Sequence, residues 1–405
     1  MNKKNILIFL FAILFHLSGY YVLIKKIEPF QYFAYLILWW SYILLIDTLF
    51  AMRTKRFLIF NRNLPFLIVI SSGFWCMYEI INLRLENWFY INLPCNFFQR
   101  WAGYMLSYGT VIPALYVTKD FLQNLLGEIK VKSLSARSYP ISAMYVGAAT
   151  LIVTIAFPDY FFPLAWIFVV MVMDGYNYQR GYSSFMGENE QGLAGNLIAT
   201  LVSGLICGVL WETWNFWSIS KWVYTVPFFE NLKIFEMPLP GYLGFLFFAM
   251  GTIAFVNFLR GIKVYKSYLL RATAVALIFS LFSFAMIDRN TVFSSMARID
   301  QLSFIAKARF DVLRAAGVKT SFGIDPAILK QKERATLDMM HLKGLGYDNY
   351  LKLQAKGIDT IQKLSQSDED TISRILNEPN LRRIRIYLKA ARQAHSSQLT
   401  VSPAL

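Results

Sequence analysis

Two carboxyl groups inside apolar stretches are the side chains of this sequence most able to do chemistry. Glu212 and Asn215 lie three residues apart near the end of one long apolar stretch, and Glu79 and Asn82 have the same spacing in an earlier one. Residues at this spacing share one face of a helix. Because an ionisable side chain at membrane depth is costly, each pair is a candidate catalytic site, in which the amide would orient an acid or base. The alternative is a structural clamp, with Glu79 bonded to Asn215 and Glu212 to Asn82.

Aromatic and charged side chains surround these two pairs. The candidate substrate-binding residues are the aromatic Trp88, Tyr90, Trp211, Trp214, Trp222 and Tyr224 and the charged Asp47, Arg53, Asp174 and Arg180. The alternatives are an interfacial aromatic belt and charge pairs at the ends of spans. Glu236, in the apolar, proline-containing loop 225–240, is a further candidate acid. Gly204 and Gly208 continue the helix face of Glu212, and glycines let another helix or a flat ligand approach closely.

The composition is that of a polytopic membrane protein. Hydrophobic residues make up 56% of the 405 residues, aromatic residues 17% and charged residues 16%, and the mean hydropathy is +0.42. We interpret the net charge of +15 mainly as Lys and Arg in short loops that orient the spans. The three cysteines and three histidines form no metal-ligand spacing, and the chain has neither a dinucleotide-binding glycine fingerprint nor a P-loop. We therefore expect no metal and no cofactor.

The apolar stretches predict nine membrane spans, since a span needs roughly 20 apolar residues. They cover residues 5–24, 30–52, 64–83, 102–117, 140–157, 160–173, 193–217, 241–258 and 269–287. Lys and Arg are more frequent in the segments that a cytoplasmic N-terminus would place inside. We therefore predict a multi-pass protein of the bacterial inner (cytoplasmic) membrane, with its N-terminus in the cytoplasm and its C-terminal domain on the outer, periplasmic side.

The spans contain an internal repeat. In each half a span ends in an aspartate, an arginine follows, and then come Glu, Asn, Trp, Tyr, Gly and Thr in the same order. Such an ordered series predicts a duplication. We predict an all-α fold with a first four-helix repeat over 1–127, a second over 128–262 and a final span over 263–287. Because each unit has four spans, the two units run the same way through the membrane, about a pseudo-two-fold axis along its normal.

The duplicated unit resembles the lycopene cyclase domain, which carries a three-span unit twice with an intervening span. The resemblance covers roughly residues 30–260 and rests on Asp47, Asp174, Trp211-Glu212, Trp222 and Glu236-Met237-Pro238. It implies a shared membrane fold. The family's Pro-x-Glu-Glu/Asp motif is replaced here by Phe-Glu-Met-Pro, and the first copy has Leu93-Pro94-Cys95 with no carboxylate. The resemblance therefore bears on the fold more than on the reaction.

From residue 288 the sequence turns polar. We predict an amphipathic helical connector over 288–332, a helical domain over 333–396 and a disordered tail over 397–405. Residues 337–353 resemble a helix-hairpin-helix, whose glycine-rich turn can offer backbone N–H groups to a phosphate of DNA. Asp348 directly after this turn would repel an anion. We therefore expect a module that docks to a protein or to membrane lipids, with the basic helix 381–395 near anionic headgroups, and not a nucleic-acid-binding domain.

Three functions fit these features. The first is binding or non-redox acid/base processing of a lipophilic, isoprenoid- or lipid-like molecule, with Glu212 as the acid or base. The second is a transporter or channel-like protein that uses the same carboxyl groups as proton or cation sites. The third is a membrane anchor for the C-terminal domain. The residues favour the first function and leave open whether the protein is an enzyme.

Overall fold

The computed structural model describes residues 3–135, 138–229 and 232–401. It is about 72% helical with almost no sheet, so the predicted helical class is confirmed. The helices are α1 (Lys3–Lys25), α2 (Ala34–Thr54), α3 (Leu64–Leu85), α4 (Phe97–Tyr108), α5 (Val111–Leu126), α6 (Tyr139–Ala156), α7 (Pro158–Phe161), α8 (Phe168–Gln179), α9 (Phe185–Glu190), α10 (Gly195–Trp217), α11 (Tyr242–Gly261), α12 (Leu269–Asn290), α13 (Lys307–Ala315), α14 (Gln331–Met340), α15 (Gly346–Gln354), α16 (Ile361–Gln366), α17 (Glu369–Leu376) and α18 (Leu381–Val401). The short strands are β1 (Trp88–Ile91), β2 (Lys221–Tyr224), β3 (Lys233–Ile234) and β4 (Met237–Pro238).

Seven helices of the described residues are long and apolar enough to cross a membrane. They are α1, α2, α3, α6, α10, α11 and α12, where α2 and α11 each include a preceding 3-10 turn. The segments Pro158–Trp166 and Phe168–Gln179, bent by 40°, make an eighth if they count as one span. These helices agree with the predicted membrane protein, whereas the sequence predicted nine spans. The difference arises at the fourth predicted span, residues 102–117, and also at the sixth, residues 160–173, if the bent pair is not counted.

The fourth predicted span is divided between α4 and α5. Gly109, at the division, lies so close to α3 that a Cβ would come within 2.7 Å of Ile68 Cγ2. The Ser71 hydroxyl of α3 donates to the Tyr108 carbonyl (2.8 Å) and accepts from the Ile112 N–H (3.0 Å). Backbone groups released by the division are therefore satisfied inside the protein.

The helices pack in neighbouring pairs: α1 on α2, α6 on α8, α10 on α5 and α11, and α12 on α3. Gly204 of α10 lies against α11, where a Cβ would be 2.6 Å from the Phe245 carbonyl oxygen, and Gly208 leaves no room for a Cβ beside the Phe245 ring. Of the two occupants that the sequence allowed for this glycine face, the structure therefore places a helix there, which brings α10 and α11 close together.

A two-stranded antiparallel ribbon joins the halves at one end of the helix bundle, which is called the ribbon side below. β1 follows α3 and β2 follows α10. The register pairs Trp88 with Tyr224 and Tyr90 with Trp222, so the two Trp-x-Tyr segments meet in reversed order. The chain after α12 lies along the other edge of β1, where the Tyr90 N–H donates to the Thr291 carbonyl (2.8 Å). Both halves and the C-terminal segment thus join at the ribbon.

The C-terminal domain lies on the ribbon side and has its own hydrophobic core. The turn between α14 and α15 packs against β1: a Cβ on Gly344 would lie 3.1 Å from the Tyr387 ring and 3.4 Å from Ile91 Cγ2. Gly344 and Gly346 have φ values of 79° and 69°, a backbone conformation that favours glycine. The turn that resembles a DNA-binding hairpin is therefore engaged in a contact within the molecule.

The basic helix α18 also makes contacts within the molecule. The buried Arg383 guanidinium lies 4.6 Å from the centroid of the Phe293 ring, and Arg382 donates to the Leu85 carbonyl at the end of α3 (3.3 Å). These two arginines attach the domain to the rest of the protein, and the contact of this helix with anionic headgroups stays a prediction.

The last helix is longer than the sequence predicted. α18 continues to Val401, through part of the segment 397–405 that the sequence predicted as disordered. Residues 402–405 of that segment lie outside the described residues. The predicted limits at residues 127 and 262 directly follow α5 and α11.

Candidate functional site

The two candidate amides anchor the ribbon strands. Asn82 Nδ2 donates to the Trp88 carbonyl (2.8 Å), and its Oδ1 accepts from the Asn87 N–H (2.9 Å). Asn215 bonds to both backbone groups of one strand residue: Nδ2 donates to the Trp222 carbonyl (2.9 Å) and Oδ1 accepts from the Trp222 N–H (3.0 Å). Both asparagines are buried. Each amide therefore fixes a strand to the helix before it. The sequence had suggested that each amide orients a carboxyl group, and neither amide does so.

Glu79 is fully buried and accepts hydrogen bonds from three side-chain donors. Its Oε1 accepts from the Trp75 indole (2.7 Å), the Trp88 indole (3.1 Å) and the Tyr90 hydroxyl (2.5 Å). Trp75 lies one turn earlier on α3, whereas Trp88 and Tyr90 come from β1, which Asn82 holds in place. This carboxyl group therefore organises the aromatic residues of the first half.

Glu212 has the matching place on α10 but fewer donors. Its Oε1 accepts from the Tyr224 hydroxyl (2.8 Å), while Oε2 is buried without a hydrogen-bond partner among the described residues. Buried side-chain oxygens without a partner are uncommon in folded proteins, so Glu212 retains hydrogen-bonding capacity that Glu79 has used. The predicted clamp between Glu79 and Asn215 and between Glu212 and Asn82 is not formed.

An aromatic cavity lies beside both carboxyl groups. Its empty volume is about 1210 Å³, and Trp88, Tyr90, Trp211, Trp222 and Tyr224 all line it. The other aromatic walls are Tyr32, Phe33, Tyr35, Trp75, Tyr104, Tyr108, Trp166, Phe245 and Phe248. The two glutamates do not line the cavity themselves. They lie behind it, each bonded to a tyrosine that does.

The two charged residues of the cavity lining are paired. The Arg100 guanidinium contacts the Asp288 carboxylate (Nη2–Oδ2, 2.7 Å), and the Lys221 ammonium contacts the Glu236 carboxylate (Nζ–Oε1, 3.0 Å). A cavity with aromatic walls and neutralised charges suits an apolar ligand, because a charged group would lose its hydration there without gaining a partner.

Glu236 is not the free acid that the sequence suggested. It is almost fully buried and lies between the ammonium groups of Lys221 (3.0 Å) and Lys343 (2.6 Å). Burial opposes ionisation of this carboxyl group, but the two lysines prevail and hold the pKa of Glu236 below its usual value. Because Lys221 lines the cavity and Lys343 belongs to the α14–α15 turn, Glu236 connects the cavity rim to the C-terminal domain.

Asp47 and Asp174 organise loops at the end of the bundle opposite the ribbon, called the loop side below. Asp47 accepts from the Leu58 N–H (2.7 Å) and from the next two backbone N–H groups. Asp174 accepts from the Phe185 N–H (2.7 Å) and from the Tyr139 hydroxyl (2.7 Å). In both halves the aspartate thus binds backbone eleven residues later, and neither aspartate lines the aromatic cavity.

Three further candidates also lie away from the cavity lining. Arg53 donates to the Asn124 side chain (2.7 Å), and Arg180 lies over the Tyr176 ring, 5.3 Å from its centroid. Neither arginine forms the predicted pair with its aspartate. Trp214 packs among the rings of α2 and donates to a tyrosine of α1 (3.0 Å). These side chains position helices and do not line the cavity.

Several residues that line the cavity were not among the predicted site residues. Trp75 carried a readable signal, because it precedes Glu79 by four residues and so shares its helix face. Tyr108, the last residue of α4, donates to the Tyr90 hydroxyl (3.0 Å). Trp166 and Phe248 belong to segments that are distant in sequence, and no local sequence pattern predicts that they line the same cavity.

No group of three or more His, Cys, Asp or Glu side chains within residues 3–135, 138–229 and 232–401 could hold a metal ion. No protein-family model, curated protein or solved structure matches the chain. The functional argument therefore rests on the aromatic cavity and on the two carboxyl groups behind it.

Proposed function

We propose that this protein binds a lipophilic, isoprenoid- or lipid-like molecule in the aromatic cavity. The observation that carries the proposal is the cavity itself, whose lining consists mainly of aromatic side chains. Such rings offer a large apolar contact area. Ligand sites are typically apolar clefts with a few convergent polar groups. The tyrosine hydroxyls at Tyr90 and Tyr224 are polar groups of this kind.

Acid/base chemistry on the bound molecule is the second part of the proposal, and it is supported by the pair Glu212–Tyr224. Burial raises the pKa of Tyr224 well above its usual value, so its hydroxyl stays protonated. This hydroxyl can donate a hydrogen bond or a proton to a group in the cavity, and a protonated Glu212 behind it can return a proton to the phenolate oxygen. Such an exchange needs no redox cofactor.

The proposed architecture is a duplicated membrane unit with nine crossings, of which α4–α5 and α7–α8 are the divided ones. Support comes from the aspartates that bind backbone eleven residues later in both halves and from the reversed pairing of the two Trp-x-Tyr strands. The Lys and Arg distribution favours a cytoplasmic N-terminus and loop side. The ribbon and the C-terminal domain would then lie on the outer side of the cytoplasmic membrane.

Native mass spectrometry tests the binding proposal. The protein is purified in a mild detergent, and its intact mass is compared before and after extraction with an organic solvent. We expect a bound lipophilic molecule that survives detergent exchange and is recovered in the extract. An intact mass equal to that of the bare chain, in protein purified from its native membrane, would contradict the proposal.

A further inference from the structure

Six of the eight hydroxyl groups that line the aromatic cavity donate to another group of the protein. The acceptors are carboxyl groups for Tyr32, Tyr90, Tyr104 and Tyr224, the Tyr90 oxygen for Tyr108 and the Asn92 carbonyl for Ser220. The other two hydroxyls, those of Tyr35 on α2 and Ser107 on α4, donate to no group of the described residues. They are therefore the two hydroxyl donors of the lining that a ligand can use.

Ser107 differs from most hydroxyl residues of the long helices. Such a side chain commonly donates to the carbonyl of the preceding turn, as Thr48 does to Leu44 (2.7 Å). Ser107 is half-buried and makes no such bond. Gly103, one turn earlier, also lines the cavity, and a Cβ there would have its nearest neighbour only at 4.0 Å. A ligand therefore has room to lie against α4 beside the Ser107 hydroxyl.

The Tyr35 hydroxyl is in a similar position on the neighbouring helix, since α2 and α4 are in contact. Its ring centroid lies 6.2 Å from that of Trp39, but an indole N–H can only donate, so Trp39 offers no acceptor for the Tyr35 proton. A hydroxyl taken out of water without a hydrogen-bond acceptor lowers stability. Both free hydroxyls thus favour a ligand that accepts hydrogen bonds.

The charges around the cavity favour an uncharged acceptor. The two cations of the lining, Arg100 and Lys221, are paired with carboxylates, so an anionic ligand would gain no free counter-ion there. It would also lie near Glu79 and Glu212, the buried carboxyl groups behind the wall. A cationic ligand has no lone pair for the two hydroxyl protons. A carbonyl or hydroxyl oxygen meets both conditions.

We propose that the molecule in the aromatic cavity carries one or two uncharged acceptor oxygens, as an alcohol, a ketone or a quinone does, and that Ser107 and Tyr35 donate to them. This inference rests on the function proposed above and narrows its ligand class. It predicts an oxygenated lipophile, in place of a hydrocarbon or a fatty acid anion.

Native mass spectrometry with three brominated probes of equal chain length, an alkane, a ketone and a carboxylate, tests the ligand class. Each probe is present at graded concentrations throughout purification, so that it competes with molecules of the membrane, and the bromine isotope pattern identifies it. We expect the ketone to bind about fivefold or more tightly than the alkane, as one net hydrogen bond gives, and more tightly than the carboxylate. Equal binding of ketone and alkane, or tighter binding of the carboxylate, overturns this inference alone. If no probe binds, the cavity proposal fails with it.

Single-hydroxyl variants locate the preference. Ser107→Ala and Tyr35→Phe should each weaken binding of the ketone about fivefold and leave binding of the alkane unchanged. Ser142→Ala is the control, because it removes an exposed serine hydroxyl on α6 that donates within its own helix, and it should behave as the wild type does. Unchanged ketone binding in both cavity variants overturns the assignment. An equal loss for ketone and alkane also overturns it, since the side chains would then only shape the cavity.

Discussion

Glu79 and Glu212 occupy matching places on α3 and α10, and each precedes by three residues an asparagine that anchors a ribbon strand. Their surroundings differ. Glu79 Oε1 accepts two indole N–H groups and one hydroxyl, whereas Glu212 accepts one hydroxyl and keeps a second oxygen without a partner among the described residues. The same scaffold thus holds one carboxyl group that is fully engaged behind the cavity wall and one that retains hydrogen-bonding capacity.

Removing each carboxyl group in turn should give the largest difference between the halves. Glu79→Leu leaves three donors without an acceptor, two of them on buried residues, at about 1–3 kcal/mol each, so we expect the free energy of unfolding to fall by about 4 kcal/mol. Glu212→Leu leaves one donor unsatisfied, and we expect a loss of about 1–2 kcal/mol. Denaturant unfolding of both variants in the same detergent measures these losses.

The two leucine variants serve as controls for each other, because they make the same change at matching positions. Equal losses would show that both carboxyl groups are structural, and a larger loss for Glu212→Leu would reverse the assignment. The predicted order requires Glu79→Leu to be clearly the less stable protein.

The amides should show no such difference. Asn82→Leu and Asn215→Leu each remove two or more hydrogen bonds that hold a ribbon strand, so we expect similar losses of about 2 kcal/mol. Unfolding measurements check this directly. A difference between them as large as that between the glutamate variants would mean that the halves differ throughout, and not only at the carboxyl groups.

The two halves also differ at Glu236, since the first half has no carboxylate at the corresponding place. We expect the effect of this difference to be smaller and to depend on pH. Because the pKa of Glu236 is lowered in the folded protein, Glu236 stabilises docking of the C-terminal domain at pH values above the usual pKa of a glutamic acid. This stabilisation is lost as the pH falls through the lowered pKa. We expect protection of the 342–346 turn from hydrogen exchange to fall roughly tenfold below about pH 4, after correction for the intrinsic exchange rate.

Two variants identify the group responsible for this loss. Glu236→Gln should show the weaker protection already at neutral pH and no further step on acidification. Glu128→Gln, an exposed carboxylate at the other end of the bundle, should behave as the wild type does. A wild-type pH step that persists in Glu236→Gln would assign it to another group.

Much of the helical framework could be predicted from the sequence, because long apolar stretches and the periodic placing of Glu and Asn are local features. The division at Gly109 was not predicted, although Gly109 and Pro113 are a local signal for it, and the Ser71 hydroxyl that satisfies its backbone lies on another helix. The aromatic candidates Trp88 and Tyr224 were found because they repeat in order. The partners of Glu79 and Asn82 depend on the register of a two-stranded ribbon, which no local spacing encodes.

The most direct measurement of the central claim compares ligand occupancy in two variants of α4. Gly103 lines the aromatic cavity, and a Cβ there would have its nearest neighbour 4.0 Å away at the Phe33 ring, so Gly103→Phe adds a ring inside the cavity. Ala102→Phe adds the same ring at an exposed position. We predict that native mass spectra show the lipophilic molecule on the wild type and on Ala102→Phe but not on Gly103→Phe. Equal occupancy in all three proteins would contradict the assignment of the cavity as the binding site.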